Sequence, residues 1–316
     1  MKVAVVGYLG LGTAFTGDAT QMRCTVRELR KLPGLDVSVA YYDDQGSLLT
    51  EDGAPAPHGW EGLANRFDAV HLFHLLPYRH RRLLPTLDRV PVLVSPIFWA
   101  NWRRWWVGAR NGYSRWRILK VVLARYCPGL RRNDLRQGCD VLLPNSWAEG
   151  ACCRANHRLG RHVVSIPVPN AVDRLAALVP DARPEYIPFA EYAVCPGAFA
   201  HRKNQLGLIR AMKGTGTPIV FMGQALDSAA DYWKRCRREA DANLLFVGHQ
   251  DNTQADYWAI LGHARCAVLS SDCETPGIAL LEAAAVGARP VVTSQGGTQE
   301  YYGLCAEYLD PVKPAS

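Results

Sequence analysis

The sequence predicts an α/β protein made of two Rossmann-like domains whose parallel sheets face one another across a cleft. Three observations predict this. The chain has 316 residues, 48% of them hydrophobic, which is enough material for two cores. Short apolar, β-branched runs alternate with longer helical stretches throughout, the order expected of parallel α/β architecture. A stretch from Pro169 to Pro188 with four prolines interrupts the alternation and reads as the link between two sheets. The expected domains are residues 1–168 and 169–316.

The strands follow in order. Met1-Lys2 leads directly into the apolar run Val3–Val6, a first strand with neither the length nor the cleavage chemistry of a signal peptide. Asp36–Ala40, Ala69–Phe73, Val90–Val94, Val141–Leu143 and Val163–Pro167 complete the first series. Tyr192–Cys195, Pro218–Met222, Asn243–Val247, Ala267–Leu269 and Pro290–Thr293 form the second. No uncharged apolar stretch reaches the roughly 18 residues of a spanning helix. The ten cysteines show neither metal-type CxxC pairs nor a small-domain disulfide framework, and read as buried thiols of a reducing compartment. The expectation is a cytoplasmic protein.

Charge is unevenly spread. Net charge is +7, yet Phe98 to Asn133 holds nine Arg or Lys and no Asp or Glu, leaving the remainder at −2. Five of the nine tryptophans fall in the same stretch, at Trp99, Trp102, Trp105, Trp106 and Trp116. Trp interleaved with Arg, as in Trp102-Arg103-Arg104-Trp105-Trp106, suits a membrane interface, where indole sits at headgroup level and Arg meets lipid phosphate. A solvated helical hairpin with packed aromatics is the plainer alternative. Single-stranded nucleic acid is a third and disfavoured partner.

In parallel sheets, ligands sit at the C-terminal ends of strands, so the loops there matter most. Three stand out. Gly7-Tyr-Leu-Gly10-Leu-Gly12 follows the first strand and precedes a helix carrying Met22, Val26 and Leu29. Gly10 and Gly12 would let backbone amides approach a phosphate. The spacing is GxxGxG and fails the dinucleotide fingerprint, so a tight β–α turn competes with phosphate contact. Gly197-Ala-Phe-Ala-His201-Arg202-Lys203-Asn204 follows the strand Tyr192–Cys195. His201, Arg202 and Lys203 can neutralise a diphosphate there, or be an ordinary solvated run.

The third loop is the strongest signal. It reads Ser270-Ser-Asp-Cys-Glu274-Thr275-Pro-Gly277-Ile278-Ala-Leu-Leu-Glu282-Ala-Ala-Ala-Val-Gly287-Ala-Arg-Pro290-Val-Val-Thr-Ser-Gln-Gly296-Gly297. A strand ends, Gly277 opens an Ala/Leu-rich helix, and Gly287 stops it. Glu274 falls just before the helix and Glu282 about two turns in. Carboxylates are good acceptors for paired sugar hydroxyls, and the helix start offers amides to an anion. Against this stands the reading of Glu282 as an ordinary helical glutamate, although it is the one carboxylate in an otherwise apolar helix.

This stretch resembles the retaining glycosyltransferases of the GT-B fold, family 4, with their E-x7-E signature in the frame E-x-x-G-x-x-x-L-E-A-x-A-x-G-x-P-V-V. Other similarities are collinear: Phe67-Asp68-Ala-Val-His71 before the cleft, Cys139-Asp140-Val-Leu-Leu-Pro-Asn-Ser146, Asn170-Ala-Val-Asp173 opening the second domain, and Gly197 to Asn204 where the family has a Gly-Arg and a Lys. The resemblance implies a donor that is a nucleotide diphosphate sugar, UDP- or GDP-linked. It implies that Glu282 binds the ribose hydroxyls and Glu274 those of the transferred sugar. The Gly277-Ile278 amides and Thr275 line the sugar or phosphate, and Lys203 neutralises the leaving diphosphate, with Gly12 approaching from the other domain. The implied chemistry is retaining and same-face, with Glu274 positioning the sugar rather than attacking it. The chain has no D-x-D, so a metal-bridged diphosphate is not expected, and the resemblance implies no cofactor besides the donor substrate.

The sequence also departs from the family. The family arginine is Ala198, with His201 or Arg202 as substitutes. Thr275-Pro276 replaces Gly-Phe. Ser95-Pro96-Ile97-Phe98-Trp99 lacks the family's histidine, although His71 and His74 lie nearby. The family's final helices are not expected after Tyr308. These departures motivate a catalytically degenerate scaffold as an alternative, with a nucleotide-sugar epimerase or phosphorylase as a third reading. The Trp/Arg segment, in the acceptor-side domain, suggests a lipid-linked or membrane-proximal glycan acceptor and a peripheral membrane location.

Overall fold

A computed structural model describes residues 1–13, 17–74, 78–99, 133–135, 138–172, 179–226 and 229–311. They divide into two units, one ending at Pro169 and the other beginning at Asn170. Trp102, Arg103, Arg104, Trp105 and Trp106 lie outside the described residues.

The first unit is built on β1 (Lys2–Tyr8), β2 (Asp36–Tyr42), β3 (Leu48–Thr50), β4 (Ala69–Phe73), β5 (Val92–Ser95), β7 (Val141–Leu142) and β9 (Val164–Ser165), in the spatial order β3-β2-β1-β4-β5-β7-β9. All neighbours are parallel except the β2–β3 pair. In β1, Val3 and Val5 join one core cluster while Ala4 and Val6 join the other. This is the period-2 alternation of a strand covered on both faces, which is why parallel strands read as unbroken apolar runs. The helix Gly17–Leu29 covers one face with Ala19, Met22 and Val26 buried. β6 (Asn133–Leu135) and β8 (His157–Leu159) form a separate two-stranded ladder.

The second unit repeats the scheme. Its strands are β10 (Ala193–Pro196), β11 (Ile219–Met222), β12 (Leu244–Gly248), β13 (Cys266–Leu269), β14 (Arg289–Thr293) and β15 (Glu307–Leu309), all parallel, in the order β12-β11-β10-β13-β14-β15. That is the 3-2-1-4-5-6 order of a Rossmann sheet, and its topological switch point lies between β10 and β13. Val194, Val220 and Met222 face one cluster and Cys195, Ile219 and Phe221 the other.

The predicted strands are all present, with ends shifted by up to two residues. Sequence reading missed β3, β6, β8 and β15, each three residues long and too short to display an alternation. The proline-rich stretch lies between β9 of the first sheet and β10 of the second. Its described part packs on the second unit: Ile187 is buried in that core, Pro180 accepts a hydrogen bond from His263 at 3.0 Å, and Tyr186 reaches Asp256 at 3.0 Å. Prolines there mark an irregular but docked segment. No helix among the described residues is long and apolar enough to cross a membrane.

Candidate functional site

The loops after β10 and β13 flank the switch point and are stitched together through their backbones. Asn204, in left-handed conformation (φ 55°), donates from Nδ2 to the Ser270 carbonyl at 3.1 Å, and Ser270 Oγ donates to the Asn204 carbonyl at 3.1 Å. The Asp272 amide donates to the Arg202 carbonyl at 2.8 Å. Ser270, Ser271 and Asp272 are buried, so these loops behave as part of the core. The single turn His201–Lys203 is thereby held against the stretch that carries Glu274.

The result is a buried ion pair. Lys203 Nζ donates to Glu274 Oε1, Ser271 Oγ donates to the same oxygen at 2.6 Å, and the Arg202 guanidinium stands 3.8 Å from it. Burial alone would raise the Glu274 carboxyl, but Lys203, Arg202 and Ser271 more than offset it and hold it below the usual carboxylate range. Burial holds the Lys203 ammonium below its ordinary value, with Glu274 opposing. Arg202 is about half exposed, and the His201 ring lies 4.6 Å from the Tyr232 ring, tilted by 35°.

Glu274 is fixed from the β14 side as well. Its amide donates to Gln295 O at 3.1 Å and its carbonyl accepts from Gly297 N at 3.0 Å, making a short parallel bridge to Gly296. A Cβ on Gly296 (φ 107°) would collide with the Glu274 carbonyl, so only glycine allows this approach. Thr275 Oγ1 also accepts from Gly297 N, at 3.3 Å. Gly277 (φ 80°) then turns the chain into the helix Ile278–Ala285, where an added Cβ would meet Leu269 Cδ1 at 2.6 Å.

Glu282 is one turn into that helix, not two, because the helix begins at Ile278. Its carboxylate is buried and accepts from Tyr257 Oη on Oε2 and from Asn252 Nδ2 on Oε1, the latter at 3.3 Å. Sequence reasoning missed both partners. Tyr257 lies 25 residues from Glu282 on the helix Ala255–Gly262, and no local pattern links them. Ser271 was missed too, although Ser-x-x-Glu spacing puts it beside Glu274.

The structure thus brings Lys203, Arg202, Glu274, Thr275, Gly277 and Ile278 into one region, with Glu282 on the adjoining helix. Gly10, Gly12 and Trp99 lie in the first unit. Gly10 and Gly12 belong to a helical turn, where the Gly12 amide donates to Leu9 O at 3.2 Å and an added Cβ would stand 3.3 Å from the Tyr41 ring. His71 is a core residue bonded to Ser95 Oγ at 2.9 Å. His74 pairs with Asp18 at 2.8 Å, and the Tyr8 hydroxyl reaches the same carboxylate at 3.5 Å.

Residues 189–304 match the family described as glycosyl transferases group 1. No curated protein matches the chain in sequence. Among solved structures, sucrose-phosphate synthase from Thermosynechococcus elongatus aligns with a TM-score of 0.70 over 98% of this chain and 86% of its own, at 17% identity. The fold is GT-B. HepE from Anabaena, solved with UDP and glucose, gives 0.61 over 100% and 87% at 14% identity. WaaG, a glycosyltransferase involved in lipopolysaccharide biosynthesis, gives 0.59 over 95% and 83% at 14% identity. The matched stretch contains the whole Lys203–Glu274–Glu282 arrangement, so the family match and the site fall in the same part of the chain.

Proposed function

We propose that this protein is a retaining, metal-independent glycosyltransferase of family 4 that moves a sugar from a nucleotide diphosphate sugar to an acceptor. The observation that carries this reading is the buried Lys203–Glu274 pair at the switch point of the second sheet, beside the start of the helix that carries Glu282. Breaking a glycosyl–phosphate bond leaves positive charge on the sugar and negative charge on the diphosphate. A fixed ammonium and helix-start amides stabilise the latter without reorganising. Lys203 holds that ammonium, with Arg202 beside it and Gly277-Ile278 opening the helix. Arg202 and His201 stand in for the family arginine replaced by Ala198.

Glu274 offers its carboxylate to hydroxyls of the transferred sugar, and Glu282 to those of the ribose. Neither acts as a covalent nucleophile in this reading. Leaving-group departure and attack share one face of the sugar. UDP- and GDP-sugars are the donors to try first; HepE was solved with UDP. The acceptor is a lipid-linked or membrane-proximal glycan, a reading supported by the Trp/Arg composition of residues 98–133.

The test is turnover of UDP- and GDP-sugars, by hydrolysis or transfer, in the wild type and in Glu282→Ala and Lys203→Ala. Each variant is expected to lose about a hundredfold or more in turnover. Full activity in both would show that the site is misassigned. Ala198 favours a second reading, a degenerate scaffold, for which calorimetric titration with UDP and GDP would give no heat.

A further inference from the structure

Glu282 sits in apolar surroundings. On its helix Leu280 and Ala283 are buried, packed in one cluster with Tyr257, Trp258, Ile260 and Leu261 of the helix Ala255–Gly262. A carboxylate in such a place is costly unless hydrogen bonds hold it. Two donors come from one short segment. Tyr257 Oη reaches Oε2, and Asn252 Nδ2 reaches Oε1 at 3.3 Å. Asn252 is itself held, because Trp258 Nε1 donates to its carbonyl at 2.9 Å. Donors on different oxygens, from a segment braced by a buried indole, fix the plane of the carboxylate as one donor would not. The two oxygens of a carboxylate held in a fixed plane make a pair of acceptors whose spacing suits neighbouring hydroxyls.

We propose that Tyr257 and Asn252 are positioning residues that aim the Glu282 carboxylate at the vicinal diol of a ribose, and so set the preference of the protein for ribonucleotides over 2′-deoxyribonucleotides. The inference rests on the donor-site reading above and deepens it, since neither residue belongs to the E-x7-E frame. Burial, then the nearby Glu282 charge, keeps the Tyr257 hydroxyl protonated and a donor at neutral pH. Removing that hydroxyl leaves the ring in the core and takes away the donor to Oε2, so that the plane of the carboxylate shifts. A tyrosine that merely packed would change affinity for both sugars equally when altered. A positioning tyrosine changes their ratio.

The experiment titrates wild type, Tyr257→Phe and Asn252→Ala with UDP, GDP and their 2′-deoxy forms by calorimetry, with thermal melting to check folding. The wild type is expected to prefer the ribo form of the nucleotide it binds best. Tyr257→Phe should melt as a folded protein, lose roughly ten- to a hundredfold in affinity for that form and show a ribo/deoxy ratio near one. Asn252→Ala should shift the ratio the same way, and it decides the matter if Tyr257→Phe fails to fold. Variants that keep the wild-type ratio while the wild type binds and discriminates would overturn this inference alone. Wild type that binds neither UDP nor GDP would overturn it together with the donor-site reading.

Discussion

His71 shows how one buried residue shapes the response of the chain to acid. It lies on β4 within the first sheet, bonded to Ser95 Oγ at 2.9 Å, and burial pushes its imidazole down from 6.5 to about 4. The native state therefore holds His71 neutral while the unfolded chain takes up a proton. Its contribution is complete above about 6.5 and lost as pH falls toward 4, with a slope of up to about 1.4 kcal/mol per pH unit. Glu274 acts in the same direction at lower pH, since its lowered carboxyl favours the folded state until it too is protonated. Urea unfolding across pH 4 to 7 should show the His71 slope, and His71→Gln should flatten it. An unchanged slope in that variant would remove His71 as the source.

At the scale of elements, the helix Trp147–Asn156 shows how a local motif becomes a tertiary strut. Ser146 caps it by accepting from the Glu149 amide at 3.0 Å, and Glu149 returns to the Asn145 amide at 2.6 Å. This is close to a capping box, with the return bond one residue earlier. The second Glu149 oxygen accepts from the Phe98 amide at 2.6 Å, in the segment that follows β5. Burial raises the Glu149 carboxyl despite these two bonds. In Glu149→Gln an N–H would face one of the two amides, so stability should fall by about 1–3 kcal/mol. Chemical denaturation measures it, and a change within about 0.5 kcal/mol would show the two bonds contribute little.

At the scale of the whole molecule, the net charge of +7 comes from one stretch. Lys and Arg near an anionic bilayer contribute about 1 kcal/mol each, and salt screens them. Sedimentation with vesicles containing phosphatidylserine should therefore carry the protein down at low salt and release it at higher salt. No binding at low salt would reject a membrane-associated acceptor. Neutral vesicles serve as the control for interaction through tryptophan alone.

The sequence by itself determined the α/β class, the predicted strands and the place of the Glu274 loop between a strand and the helix that Gly277 opens. Long apolar runs and glycine-punctuated turns are local signals that survive any packing. Gly277 could be read as the residue that opens the helix, and Gly287 as the one that stops it. It did not determine β3, β6, β8 or β15, whose three residues each depend on partners distant in the chain. Nor did it determine that the segment after Pro169 docks on the second core, since proline content reports irregularity and not attachment. Only the tertiary structure decided that Lys203 meets Glu274 across 71 residues, and that Tyr257 and Asn252 hold Glu282. Those contacts arise from strand order in the second sheet, which sets loops and helices side by side irrespective of their distance along the chain.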